Sequence, residues 1–89
     1  MFRIRWEKRA LNELTNIWTQ ANSIERKAIT AASHLIDQRL RNEPNNAGES
    51  RSNGRRFFFE APLTILFRVE ADGVTVSVLT DRMYRPRRP

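Results

Sequence analysis

Two alternating runs, residues 63–71 and 74–82, are separated only by Asp72-Gly73, and that arrangement constrains the fold more than any other feature. In the first run Leu63, Ile65, Phe67 and Val69 alternate with Thr64, Leu66 and Arg68. A period of two is that of a strand with one buried face. Asp-Gly tolerates the positive φ of a tight hairpin turn, so the two runs should pair antiparallel. Residues 55–61 read as a third strand, and Pro62 falls between it and the next, where a missing N–H does least harm. The expected nucleus is a three-stranded meander. Its Leu63, Ile65, Phe67 and Val69 face needs cover, while Thr64, Leu66 and Arg68 look the other way.

The N-terminal half supplies that cover. Phe2-Arg3-Ile4-Arg5-Trp6 alternates apolar and basic residues and predicts one more strand. From Glu7 the period changes: Ala10, Leu11, Leu14, Ile17, Trp18 and Ala21 form one stripe of an amphipathic helix. Asn22-Ser23 interrupts it, with Ser23 the expected N-cap of a second helix over 24–42. Ala28, Ile29, Ala32, Leu35, Ile36 and Leu40 are its expected buried stripe. Two such helices with a tight turn predict an αα-hairpin. Residues 43–54 (EPNNAGESRSNG) lack periodicity and predict a mobile loop, and 83–89 (MYRPRRP) a basic tail without regular structure. The order β-α-α-β-β-β defines an α+β fold, a small antiparallel sheet packed on an N-terminal helical hairpin, in a single domain spanning 1–89.

Composition narrows the function. There is no cysteine, and His34 on the second helix is the one histidine, so no metal site and no cofactor are expected. No apolar run has the length of a signal peptide or of a membrane span, which predicts a cytoplasmic protein without a membrane partner. Sixteen Lys+Arg against ten Asp+Glu give +6, and only Lys8 and Lys27 are lysines. Arginine presents a planar fork that suits phosphate, and a positive field draws polyanions.

Several segments carry a resemblance that covers nearly the whole chain. Trp6-Glu7-Lys8-Arg9-Ala10-Leu11-Asn12-Glu13-Leu14 is similar to the strand end and Ala-x-x-x-Leu helix that open the RelE/ParE superfamily of type II toxins. Asp37-Gln38-Arg39-Leu40 followed by Glu43-Pro44 resembles the end of that family's second helix, and Gly54-Arg55-Arg56 the start of its next strand. Leu63-Thr64-Ile65-Leu66-Phe67-Arg68-Val69 and Val76-Ser77-Val78-Leu79-Thr80-Asp81-Arg82 resemble its last two strands. The resemblance implies the toxin component of a type II toxin–antitoxin system, with a cognate antitoxin protein as partner. It implies a RelE-like, ribosome-associated messenger-RNA endonuclease that inhibits translation. The alternatives are a ParE-like inhibitor of DNA gyrase without catalysis, and a non-toxic RNA-binding relative.

A metal-independent endoribonuclease must align a ribose 2′-OH on the adjacent phosphate, stabilise added negative charge and protonate the leaving oxygen. Arg68, Arg82 and Tyr84 are the candidate catalytic residues. Tyr84 is the one tyrosine, and, flanked by Arg82 and Arg85, it resembles the C-terminal Arg/Tyr pair of ribonucleolytic members, at compressed spacing. Arg55, Arg56, Arg85, Arg87 and Arg88 are the candidate RNA-binding residues. The chain departs from the RNA-cleaving pattern at Thr64, which stands where the resemblance asks for a catalytic arginine, and at Phe57, where it asks for a basic residue. Of Phe57-Phe58-Phe59, alternation places Phe57 and Phe59 on one face and Phe58 on the other.

Overall fold

A computed structural model describes residues 1–84. Strand β1 (Arg3–Trp6) leads into helix α1 (Lys8–Gln20) and helix α2 (Ser23–Asn42). A 3₁₀ turn at Pro44–Asn46 precedes the short strand β2 (Glu49–Ser50), and a second at Ser52–Gly54 precedes strand β3 (Arg55–Glu60). Strands β4 (Leu63–Val69) and β5 (Thr75–Met83) follow. The sheet order is β1-β5-β4-β3-β2. The meander β3-β4-β5 is antiparallel as expected, whereas β1 runs parallel to β5, giving a mixed sheet.

The expected alternation on β4 is present. Leu63, Ile65 and Phe67 are fully buried beneath the helices with Val76 and Val78 of β5. Phe58 pairs with Ile65 and packs on the same core. The helices contribute Ala10, Ile29, Ala32, Ile36 and Leu40. Twelve residues are enough for one core in a chain of this size, where burial is the main favourable term.

Several local expectations are corrected. The N-cap of α2 is Asn22, not Ser23: its Oδ1 accepts from the Glu25 N–H at 2.8 Å, and Glu25 Oε1 accepts from the Asn22 N–H at 3.0 Å. The second bond needs a carboxylate at the third helical position, which only the Asn22 register supplies. The helices do not pack tightly on each other. Helix α1 lies along β5 and α2 spans β1, β3 and β4, so each is buried along its sheet-facing line only. Leu11, Trp18 and Leu35, expected inside, are therefore exposed. Trp18 instead stacks with the Arg26 guanidinium, 5.3 Å from the ring centre, and its carbonyl accepts from Arg26 Nε at 3.0 Å.

The segment expected as a mobile loop is anchored. Pro44 and Ala47 are buried, and β2 pairs with β3 as a fifth strand. Gly48 makes this possible. Its φ is +66°, and a Cβ there would sit 2.0 Å from the Phe57 carbonyl oxygen, so only glycine lets the two backbones approach. Met83, expected in the tail, ends β5.

Candidate functional site

The face of the sheet away from the helices is open, and strand register decides what stands on it. Partners in neighbouring strands share a face. Arg5 pairs with Ser77, Ser77 with Arg68, and Arg68 with Arg55. Three arginines from β1, β4 and β3 thus lie in one row across four strands, about 4.8 Å apart per strand, with Ser77 between two of them. Ser77 is fully buried beneath its neighbours, and its hydroxyl oxygen accepts from Arg5 Nη2 at 3.0 Å.

Each arginine of the row is steadied by one local partner. Arg68 Nε donates to Glu70 Oε1 at 2.9 Å. This bond, helped by Ser77, holds the Glu70 carboxyl below its usual value despite some desolvation. Arg55 donates to the Ser52 carbonyl and hydroxyl at 3.1 and 3.2 Å, and Arg5 to Glu7 at 3.3 Å. These are surface contacts that a stronger anion can replace at small cost.

Below the basic row the face turns apolar. Leu66 stands between Phe57 and Thr80, and Thr64 between Phe59 and Arg82. The Arg51 guanidinium lies 5.2 Å from the centre of the Phe57 ring. The Tyr84 ring meets Phe59 edge-on, with centroids 5.4 Å apart, and is 53% exposed. Its backbone N–H donates to the Pro62 carbonyl at 2.7 Å, which fixes its position just past β5. The open face therefore joins a row of cations to a shelf of aromatic rings.

The structure gathers Arg55 and Arg68 in the row and sets Tyr84 on the shelf. It separates two others. Arg56 lies on the helix side, where its guanidinium donates to the carbonyls of Ala47 at 2.8 Å and Gly48 at 3.1 Å and fastens the 44–50 segment to β3. Arg82 shares the register of the open face through Thr64, but its Nε reaches over the sheet edge to Glu13 Oε2 of α1 at 3.1 Å. Arg85, Arg87 and Arg88 lie outside the described residues. Sequence reasoning missed Arg5. Its outward direction follows from alternation with Ile4 and Trp6, but its place beside Ser77 depends on a parallel pairing with the far end of the chain. His34 is exposed on the outer side of α2, away from this face. Among the described residues no three His, Asp or Glu side chains converge as metal ligands, and no helix is long and apolar enough to cross a membrane.

No protein-family model matches the sequence, and no curated protein matches it. Solved structures do. A chain of the chromosomal ParDE system of P. aeruginosa is 19% identical, with 96% of this chain and 98% of that one covered at a TM-score of 0.73. A chain of the toxin–antitoxin complex RelBE2 from Mycobacterium tuberculosis is 18% identical, with coverage of 92% and 96% and a TM-score of 0.72. The isolated E. coli RelE toxin is 16% identical, with coverage of 98% and 88% and a TM-score of 0.65. The fold is the α+β arrangement of RelE/ParE-type toxins, helices before the meander.

Proposed function

We propose that the chain is the toxin component of a type II toxin–antitoxin system and acts through the open sheet face on messenger RNA at the ribosome, with a cognate antitoxin as its partner. The observation that carries the reading is the Arg5–Ser77–Arg68–Arg55 row beside the Phe57, Phe59 and Tyr84 shelf. Arginines hold phosphates, and aromatic rings stack unpaired bases, which is the combination that retains single-stranded nucleic acid. In cleavage Arg68 stabilises charge on the phosphate and Tyr84 moves the proton. A second reading, gyrase inhibition by contact alone, draws support from Thr64 at the centre of the face and from Arg82 being engaged by Glu13.

The test incubates purified protein with programmed ribosomes and maps new ends on the message. Cleavage by the unmodified chain is expected. Tyr84→Phe, which removes one hydroxyl, should slow it by roughly 10²-fold or more, the lower range for a general acid or base. Intact message together with inhibited supercoiling by gyrase would transfer the case to the second reading.

A further inference from the structure

On the opposite side of the molecule, the cleft between α1 and β5 holds a buried carboxylate, Asp81. Asp81 is 1% exposed, and neither of its oxygens has a hydrogen-bond partner among the described residues. It pairs in register with Ile65, so it points from β5 toward the helix layer. There it lines a cleft of about 450 Å³ with Glu13, Asn16, Ile17 and Gln20 of α1 and Met83 of β5. The nearest carboxylate does not help it. Glu13 Oε1 accepts from the Asp81 backbone N–H at 3.0 Å and Glu13 Oε2 from Arg82 Nε at 3.1 Å, with Arg9 Nε at 3.7 Å, so Glu13 is held in place as a like charge.

Burial with no partner and a second carboxylate nearby is an arrangement that favours a cation. The walls say which kind. Ile17 and Met83 offer apolar sides for an aliphatic stem, and Asn16 and Gln20 offer amide groups at the rim. Among the described residues no strand pairs with this side of β5 beyond Val78, where β1 ends, although Glu13 already takes the Asp81 backbone N–H there. A polypeptide can therefore lie along residues 79–83 and lower one side chain inward.

We infer that the α1–β5 cleft is a binding slot for a guanidinium or ammonium side chain of a partner polypeptide lying along the free edge of β5, with Asp81 its anionic floor. This is independent of the open face and survives either reading of what that face does.

The experiment follows the isotope-labelled full chain by NMR at pH 7.5, with ethylguanidinium chloride as the first probe and the capped peptide acetyl-Val-Arg-Val-amide as the second. Saturable shifts of the Glu13 and Asp81 signals are expected, and the peptide should bind at least tenfold more tightly because its backbone also meets the β5 edge. The probe should lower the titration midpoint of the Asp81 carboxyl carbon by one pH unit or more. Asp81→Asn, nearly the same size, should keep the remaining spectrum and lose at least tenfold in affinity. Sodium chloride at equal ionic strength reproducing the shifts, or undiminished affinity in Asp81→Asn, would overturn the slot. Equal affinity for the two probes would reject the polypeptide partner. A changed Asp81 carboxyl signal in an unliganded chain carrying Arg85→Ala, Arg87→Ala and Arg88→Ala would assign the slot to this chain's own tail instead.

Discussion

The two faces of the sheet use arginine in opposite ways. On the helix side Arg56 donates to two loop carbonyls and acts as a structural clamp. On the open side Arg68, directly beside it across the β3–β4 pair and one register step away, has Glu70 as its one partner among the described residues and remains 40% exposed. The same residue type in adjacent strands is a fastener on one face and an available cation on the other. Charge count alone does not distinguish these roles. What distinguishes them is whether the partners are backbone carbonyls, which cannot leave, or a half-buried side-chain carboxylate, which can swing away.

The largest effect expected from breaking this contrast concerns Asp81, a buried helix-side carboxyl without a hydrogen-bond partner among the described residues. Burial, and then the nearby Glu13 charge, push the Asp81 carboxyl from 3.8 up to about 7. A carboxyl raised in the folded state binds its proton more tightly than the unfolded chain does. Stability should therefore fall as pH rises from about 4 to 7 and level off above. At roughly 1.4 kcal/mol per pH unit the full effect is up to about 4 kcal/mol. Asp81→Asn should flatten this slope in urea melts followed from pH 5 to 8. An unchanged slope would mean that Asp81 has a partner in solution.

Next in size is Gly48→Ala. The added methyl would meet the backbone of Phe57 and Phe58, and the positive φ adds strain, so a loss of about 2–4 kcal/mol is expected. Detachment of β2 should show as rapid amide exchange at Glu49 and Ser50. A loss below about 0.5 kcal/mol would show that the 44–50 segment is not anchored as described.

The smallest stability change, and the sharpest form of the comparison, sets Arg56→Ala against Arg68→Ala. Arg56→Ala should cost about 1–3 kcal/mol, because two carbonyls lose a charged donor. It should leave the salt dependence of RNA binding unchanged. Arg68→Ala should leave the melting temperature within error and reduce the slope of log affinity against log salt by about one phosphate contact. Equal melting temperatures for the two variants would remove the distinction between the faces.

Much of the fold was legible because period and turn chemistry act locally. The alternation in β4, the change of period at Glu7 and the Asp72-Gly73 turn each state an element in a few residues. At that turn Asp72 accepts from the Val74 and Thr75 N–H groups, both at 2.9 Å, and Gly73 takes φ +74°. What escaped depends on distant partners. Residues 49–50 become a strand only because Gly48 brings them against Phe57. The helices splay because each follows the sheet, so two of the six stripe residues of each, Leu11 and Trp18 on α1 and Ala28 and Leu35 on α2, face outward. At the site, alternation sufficed to send Arg68 outward and to put Phe57 and Phe59 on one face, while which face that is follows from the pairing of Phe57 with Leu66. The diversion of Arg82 to Glu13 and the burial of Asp81 require knowing that α1 lies along the far half of β5. A β-bulge in β5, between the positions opposite Leu66 and Phe67, also shifts the register there, which simple counting along the strand does not anticipate.

The parallel pairing of β1 with β5 has a kinetic consequence. Arg5 and Ser77 are 72 residues apart, and β5 sits between β1 and β4 rather than at an edge. Contacts of such separation form slowly, because closing the long loop costs entropy before any pairing compensates it. The arginine row spans that same junction: Arg5 comes from one side of it, Arg68 and Arg55 from the other. No partly folded chain lacking β5 can present the row. The arginine row comes into existence only when this pairing closes the sheet, so the rate of that closure sets how soon a newly made chain presents it.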